Sequence, residues 1–157
     1  MVKPVPKGYR TVTPNIILKD SRSAIKFYKK AFKAKELSVF LGPDGKVVMH
    51  ATLKIGNSIV MIADEQPQQA CKSAETLGHS PISLWLYVKD ADKTFNKAVK
   101  AGAVVTMPLA DMFWGDRMGQ LKDPFGYSWT IATHTKDMTE DEIRQGGEAF
   151  FARMASK

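Results

Sequence analysis

Short apolar runs alternate with turn residues along most of the chain. The run TVTPNIILKD has the β-branched, apolar composition of a strand. Asp20 or Ser21 then caps a predicted helix. The apolar stripe of that helix consists of Ala24, Ile25, Tyr28 and Phe32. Two or three strands follow in ELSVFLG, KVVMHATLKIG and SIVMIAD, separated by the turn sequences PDG and GN. The first part of the chain therefore predicts a β-α-β-β-β unit.

The same pattern returns when the chain is shifted by 70 positions. Gly45 then coincides with Gly115, and Gly56 with Gly126, without any gap. PISLWLYVK predicts a strand, and residues 91–102 predict a helix that ends at a glycine. The segments VVTMPLAD, DRMGQLKD and YSWTIATH predict the remaining strands. The second part is therefore expected to repeat the β-α-β-β-β unit.

We expect an α+β fold with two βαβββ modules in tandem, at residues 9–65 and 81–135, joined by a loop at 66–80. The helix of each module covers only one face of its sheet. Side by side, the modules are therefore expected to form an open, curved, barrel-like sheet with both helices outside, within one structural domain. Residues 136–157 predict a C-terminal helix whose apolar face packs on the domain or on a second subunit.

Strand alternation predicts which side chains line the concave face of this sheet. In the fifth strand, Ser83, Trp85 and Tyr87 point into the concave face. The residues of other strands assigned to the same face are Thr13, Asn15, Ile17, Ser58, Val60, Ile62, Ser128, Thr130 and Ala132, and His50 with its repeat partner Gln120. Concave surfaces with an apolar lining are common binding sites for small molecules.

Composition and charge narrow the classes of function. The 157 residues include 23 Lys and Arg against 16 Asp and Glu, a net charge of +7. The lysines are spread over the polar faces of two predicted helices without a nucleic-acid-binding motif, so we expect no nucleic-acid partner. Residues 1–10 lack the apolar core of a signal peptide, and no run approaches the ~20 apolar residues of a membrane span. Cys71 is the single cysteine, which fits a reducing, cytoplasmic setting.

The stretch FWGDRMG combines aromatic and charged side chains. Trp114 offers a stacking surface, and Arg117 offers bidentate contact with a carboxylate or a phosphate. Arg117 also departs from the repeat, in which its partner is Val47. A surface ion pair for the arginine and a core position for the tryptophan are the structural alternatives. The turn that follows, from Asp123 to Gly126, is expected to be structural.

Three segments, TPNIILKDSRSAIKFYKKAF, GPDGKVVMHATLKIGNSIVMIAD and FWGDRMGQLKDPFGYSWTIATH, resemble the vicinal oxygen chelate superfamily. This is the group of glyoxalase I, bleomycin resistance proteins and extradiol dioxygenases, and the chain is most similar to its PhnB-like subgroup. The resemblance spans about residues 9–137. It implies paired βαβββ modules, an open barrel and a homodimer, in some members with exchanged elements.

Metal-dependent members of this superfamily hold their ion with His, Glu or Gln on the first and last strands of each module. The resemblance carries these positions over to Thr13, Val60, Ser83 and Thr130. Valine cannot coordinate a metal, and neutral hydroxyls are poor ligands. We therefore expect no metal cofactor at the family position. A divalent metal elsewhere is an open alternative, for which His50, Asp116 and His134 are candidates by residue type.

The resemblance and the predicted concave face lead to one main hypothesis and two alternatives. The first is a small-molecule-binding protein of the bleomycin-resistance type, without a metal, for an aromatic or anionic ligand. Its predicted ligand contacts are Asn15, Trp85, Tyr87, Trp114, Arg117 and Gln120. The second is a lyase or isomerase that uses His50 as acid or base, or a non-standard metal site. The third is a scaffold whose dimer or C-terminal helix binds another protein.

Overall fold

A computed structural model describes residues 2–156 of the chain. Over this range the chain forms eight strands and four helices. In chain order they are β1 (Asn15–Leu18), α1 (Ser21–Phe32), β2 (Lys35–Leu41), β3 (Val48–Ile55), β4 (Ser58–Asp64), α2 (Ala74–Leu77), β5 (Ser83–Tyr87), α3 (Ala91–Ala101), β6 (Val104–Asp111), β7 (Asp116–Lys122), β8 (Ser128–His134) and α4 (Glu140–Ala155).

The strands form two separate four-stranded sheets, with the orders β1-β4-β3-β2 and β5-β8-β7-β6. In each sheet the first strand runs parallel to the last strand of its module, and the other pairings are antiparallel. The parallel pairing requires a crossover connection, which begins with the helix after the first strand. The predicted α+β fold of two βαβββ modules in tandem is confirmed, and over residues 2–156 the sheets do not close into a barrel.

Helix α1 begins at one of its two predicted caps, and α3 ends at the predicted glycine. Asp20 caps α1 by accepting a hydrogen bond from the Ser23 backbone N–H at 3.0 Å, and Asp90 caps α3 through Lys93 at 2.9 Å. All four residues of the predicted apolar stripe of α1 are buried. Helix α3 ends at Gly102, whose φ of 119° is a conformation that glycine adopts without strain. The two aspartates that cap the helices therefore occupy equivalent positions, shortly after β1 and β5.

Both modules share one hydrophobic core. Helix α1 packs directly against α3, and the Phe32 ring of α1 lies 4.7 Å from the Trp129 ring of β8 between centroids. The Tyr127 hydroxyl donates a 2.6 Å hydrogen bond to the Ile17 carbonyl of β1. The two helices therefore contact each other, rather than lying apart on the outside of one common sheet. We call the sheet face that each helix leaves uncovered the open face of that module.

The last strands of the two modules do not match at the predicted spacing. Ile16 pairs with Ile62, and its counterpart Leu86 pairs with Ile131, a spacing of 69 between the last strands. Val60 and Ile62 consequently belong to the hydrophobic core. Their predicted position on the concave face is wrong.

The turn before each last strand explains this difference. In the first module, Ile55 pairs with Ser58 across a two-residue turn. In the second, a longer loop separates Lys122 from its partner Ser128. A shift of one residue moves every side chain of a strand to the opposite face. Met61 therefore takes the open-face position that the ungapped repeat assigned to Val60.

The linker (residues 66–80) differs from the predicted loop, whereas the C-terminal helix begins where it was predicted to begin. The predicted loop at 66–80 contains the short helix α2, capped by Ser73, whose hydroxyl accepts from the Thr76 N–H at 3.2 Å. Helix α4 begins at the predicted capping box of Thr139 and Glu142. None of the helices over residues 2–156 has the length and apolar character needed to cross a membrane.

Glycine lets α4 approach the second module closely. A Cβ at Gly146 would lie only 2.9 Å from the Cβ of Phe113, in the turn before β7. The ring of Phe113 lies 5.6 Å from that of Phe150 on α4 between centroids. The predicted apolar face of the tail therefore packs, in part, on its own module.

Candidate functional site

A groove lies between the β3–β4 turn of the first module and β5 of the second. Its volume is about 310 Å³, and its lining includes Arg10, Pro14, Ser58, Trp85 and Tyr87; we call it the aromatic groove. Trp85 and Tyr87 are 46% and 60% exposed, with ring centroids 6.1 Å apart. Two large aromatic side chains held side by side and half exposed offer a stacking surface to a ligand ring.

Arg10 supplies a positive charge to this groove. The residue is exposed, and no Asp or Glu of residues 2–156 lines the groove beside it. A guanidinium can bind a carboxylate or phosphate through two parallel hydrogen bonds. The arrangement can thus hold a ring by stacking and an anionic group by hydrogen bonding. Sequence reasoning missed Arg10 because an arginine before the first strand gives no signal of its own.

Asp116 organises the side chains behind the groove. Its carboxylate is almost fully buried and accepts hydrogen bonds from the Tyr87 hydroxyl at 2.8 Å and from Trp114 Nε1 at 3.0 Å on Oδ2. His134 Nδ1 lies 2.8 Å from Oδ1. Burial raises the pKa of Asp116, but the hydrogen bonds from His134, Tyr87 and Trp114 outweigh burial and lower its pKa overall. The charged carboxylate therefore fixes the orientation of the Tyr87 ring.

His134 connects this cluster to the C-terminal segment. Its Nε2 lies 2.9 Å from Asp137 Oδ1, so both ring nitrogens face a carboxylate. The hydrogen bonds to Asp116 and then to Asp137 raise the pKa of His134. The next residues are tied down as well, because the backbone N–H groups of Thr135 and Lys136 both donate to the Gly115 carbonyl, at 2.8 and 3.0 Å.

Neither Trp114 nor Arg117 lines the aromatic groove, although Trp114 donates to Asp116 behind it. Arg117 projects from β7 toward the helix side of the sheet and makes a bidentate ion pair with Asp92 of α3, at 2.6 and 2.7 Å. It also lies 3.3 Å from Asp111. The predicted position of Arg117 among the ligand contacts of the concave face is wrong, because strand alternation places it on the opposite face from Asp116 and Met118. The alternative of an ion pair with a neighbouring acid is the one observed.

The other predicted residues lie on the open faces but do not line the aromatic groove. Asn15 is exposed on β1, and Gln120 is half-buried on β7. His50 lies on β3 with its Nε2 3.1 Å from Thr52 Oγ1, and the Tyr9 hydroxyl lies 3.3 Å from the same oxygen. The structure therefore does not bring these three together with the groove aromatics. Their part in binding or catalysis stays a prediction.

The positions that the resemblance assigned to a metal do not fit one. Val60 belongs to the core and also lines the aromatic groove, but it cannot coordinate a metal, and Met61 takes the open-face position. Thr130 is 1% exposed, the Thr13 hydroxyl donates to a backbone carbonyl at 3.0 Å, and Ser83 offers a third hydroxyl. Hydroxyls without a carboxylate or imidazole do not suit a divalent cation. Among the described residues, no group of three or more His, Cys, Asp and Glu side chains is arranged to hold a metal ion.

Curated relatives match over most of the chain. A protein of Mycobacterium bovis is 41% identical over 136 residues, which cover 85% of this chain and 89% of the relative. A protein of Arabidopsis thaliana is 32% identical over 125 residues, covering 75% of this chain and 74% of the relative.

Solved structures show the same fold. The X-ray structure of an Arabidopsis thaliana gene product has a TM-score of 0.64 and 28% identity, and covers 79% of this chain and 98% of its own. TioX from Micromonospora has a TM-score of 0.62 and 25% identity, covering 83% and 100%. A PhnB protein from Bacillus cereus, at 17% identity and a TM-score of 0.62 over 79% and 99%, supports the fold alone.

The family model described as "Glyoxalase/Bleomycin resistance protein/Dioxygenase superfamily" matches residues 11–131. This range runs from just before β1 into β8, so it spans nearly all of both modules and every residue that lines the aromatic groove except Arg10. The resemblance read from the three sequence segments is thereby confirmed. The chain belongs to the glyoxalase/bleomycin resistance protein/dioxygenase superfamily.

Proposed function

We propose that the protein binds a small compound with an aromatic ring and a negatively charged group in the aromatic groove, without a metal ion. The observation that carries this proposal is the exposed pair of Trp85 and Tyr87 beside Arg10 in one groove. Groove size is consistent with it, since small-molecule sites begin at about 300 Å³.

The stacking surface is preorganised. The Tyr87 hydroxyl is held at 2.8 Å by the buried Asp116 carboxylate, and Trp85 packs beside Tyr87. A ring that is already ordered loses little conformational entropy when a ligand stacks on it, which favours binding. The large exposed area of both side chains is then explained by the ligand that covers it.

Arg10 gives the groove its preference for an anion. Its guanidinium faces no carboxylate in the lining, and the net charge of +7 adds long-range attraction for a negative ligand. Binding of this kind needs only a groove and a few polar contacts, so it does not depend on a metal ion.

Calorimetric titration with 2-naphthoate and with its neutral analogue 2-naphthalenemethanol tests the proposal. We expect Trp85→Ala to weaken 2-naphthoate binding by about tenfold, the range of one ring-stacking contact. Arg10→Gln should reduce the affinity for 2-naphthoate to that for the neutral analogue. Phe40→Ala is the matched control, because Phe40 is an exposed aromatic residue outside the groove.

His50→Ala is the control for the enzyme alternative. His50 does not line the groove, so its replacement should leave 2-naphthoate binding unchanged. Equal losses in Trp85→Ala and Phe40→Ala would show that the naphthyl ring binds without using the groove, and the proposal would then be wrong.

A further inference from the structure

A second groove adjoins the aromatic groove and shares four lining residues with it: Ile55, Gly56, Leu86 and Tyr87. Its volume is about 330 Å³, and three lysines line it: Lys33, Lys35 and Lys54. Phe32 and Val88 add to its apolar wall. We call it the lysine groove. Over residues 2–156, neither Asp nor Glu belongs to its lining.

Two of these lysines oppose each other directly. Lys35 of β2 and Lys54 of β3 are register partners in the antiparallel pair. Like charges at directly opposite positions of a sheet destabilise it. Within residues 2–156, neither Lys35 nor Lys54 forms an ion pair. By contrast, Lys29 of α1 does, because its Nζ lies 2.8 Å from Glu36 Oε2. The lysine groove therefore holds concentrated positive charge that the folded chain leaves uncompensated.

Lys33 adds a third charge at the same end of the sheet. It follows the last turn of α1 with φ 56° and ψ 32°, a left-handed conformation that glycine or asparagine usually occupies. Among residues 2–156 it is the single residue other than glycine with positive φ. Lys33 thus lines the groove from this left-handed position directly after α1.

We propose that the lysine groove binds a small ligand through a phosphate or diphosphate group. Lysine ammonium groups suit phosphate as compact point charges, and three of them match its multiple negative charges. Tyr87 contributes no donor here, because its hydroxyl proton is donated to Asp116. This site goes beyond the proposed function and uses different charged residues from the aromatic groove.

Titration with inorganic pyrophosphate at constant ionic strength tests the site. Calorimetry and thermal unfolding of the full chain should show saturable binding with a rise in Tm. Lys35→Gln and Lys54→Gln should each weaken binding about threefold to fivefold, as expected for a partly exposed charge contact. In the absence of pyrophosphate, each variant should melt at or above the wild-type Tm, because the opposed charges have been relieved. Lys93→Gln, which removes an exposed lysine of α3 outside the groove, is the matched control.

Several outcomes would overturn the proposal. These are the absence of saturable pyrophosphate binding, wild-type affinity in both groove variants, and an equal loss in Lys93→Gln, which would indicate a general charge effect. Binding of a single-stranded oligonucleotide that needs Lys35 and Lys54, with no binding of pyrophosphate, would also contradict it. Trp85→Ala should keep pyrophosphate binding, so failure of the aromatic-groove proposal can be told apart from failure here.

Discussion

The Tyr28 hydroxyl donates a 2.7 Å hydrogen bond to Asp123 Oδ2 and thereby connects α1 of the first module to the turn before β8 of the second. Both side chains are buried. Trp129 Nε1 donates to the same oxygen at 2.9 Å. The other oxygen, Oδ1, accepts from the backbone N–H groups of Phe125 and Tyr127, each at 2.9 Å. One carboxylate thus satisfies four donors in the region where the modules meet.

Replacing Asp123 by asparagine should destabilise the protein strongly. The amide oxygen can keep two of the donors, but the amide NH₂ would face the other two, which stay buried without an acceptor. Leaving buried donors unsatisfied costs about 2–3 kcal/mol. Urea unfolding of Asp123→Asn measures this cost. Asp141→Asn, at an exposed carboxylate of α4, is the control and should change the free energy of unfolding by less than about 0.5 kcal/mol. Similar values for the two variants would contradict the structural role of the turn.

His134 should make stability depend on pH near neutrality. Its two carboxylate partners raise the pKa of its folded form above 6.5. This contribution to stability is therefore fully present below pH 6.5 and is lost as the pH rises through the higher, folded-state pKa. The pKa of Asp116 is lowered from 3.8, so its contribution is present above pH 3.8 and is lost only as the pH falls through its lower folded value.

We therefore expect the free energy of unfolding to fall as the pH rises above about 6.5 and through the raised pKa of His134, where the imidazolium loses its proton. His134→Gln should flatten the profile over this range, because glutamine does not titrate. Urea unfolding at a series of pH values measures both. A wild-type slope that persists in His134→Gln would assign the pH dependence to another group. His79→Gln, in the linker, should keep the wild-type slope.

Arg117 should contribute to stability and not to ligand binding. Its guanidinium is engaged by Asp92 on the helix side of the sheet. We expect Arg117→Gln to lower Tm and to leave the calorimetric affinity for 2-naphthoate within about twofold of wild type. Asp92→Asn should lower Tm in the same direction, and the double variant should lose less than the sum of the two single variants. A large loss of 2-naphthoate affinity in Arg117→Gln alone would restore the sequence-based assignment.

The sequence predicts well those features that depend on local chemistry. The caps at Asp20 and Thr139, the glycine end of α3 and the two βαβββ modules follow from residue type and spacing, and each is observed. What it does not predict is set by the lengths of turns and by tertiary packing. The two-residue turn after Ile55 moved Val60 to the core, a change that an ungapped repeat cannot show.

In the candidate site, too, the sequence predicts what local pattern decides and misses what tertiary packing decides. Alternation within one strand placed Trp85 and Tyr87 on the same face, and both line the groove. Arg10 reaches that groove from outside any strand or helix, so no periodic pattern includes it. Charge and aromatic character made Arg117 a candidate for binding, but the sequence does not show that Asp92 of α3 lies beside it.

Gly115 should be required for the attachment of the C-terminal segment. Its φ is +93°, and a Cβ added there would meet the Lys136 carbonyl oxygen at 2.0 Å, which no L-residue tolerates without a backbone shift. Gly45 also has a positive φ, +66°, but a Cβ there would meet open space. Gly45→Ala should therefore cost about 1 kcal/mol, from backbone strain alone. Gly115→Ala should cost about 3 kcal/mol or more, because the clash adds to the strain. Urea unfolding of both variants gives the difference, and amide hydrogen exchange at Thr135 and Lys136 should rise only in Gly115→Ala. Equal costs in the two variants would mean that the chain after β8 does not pack on Gly115 in solution.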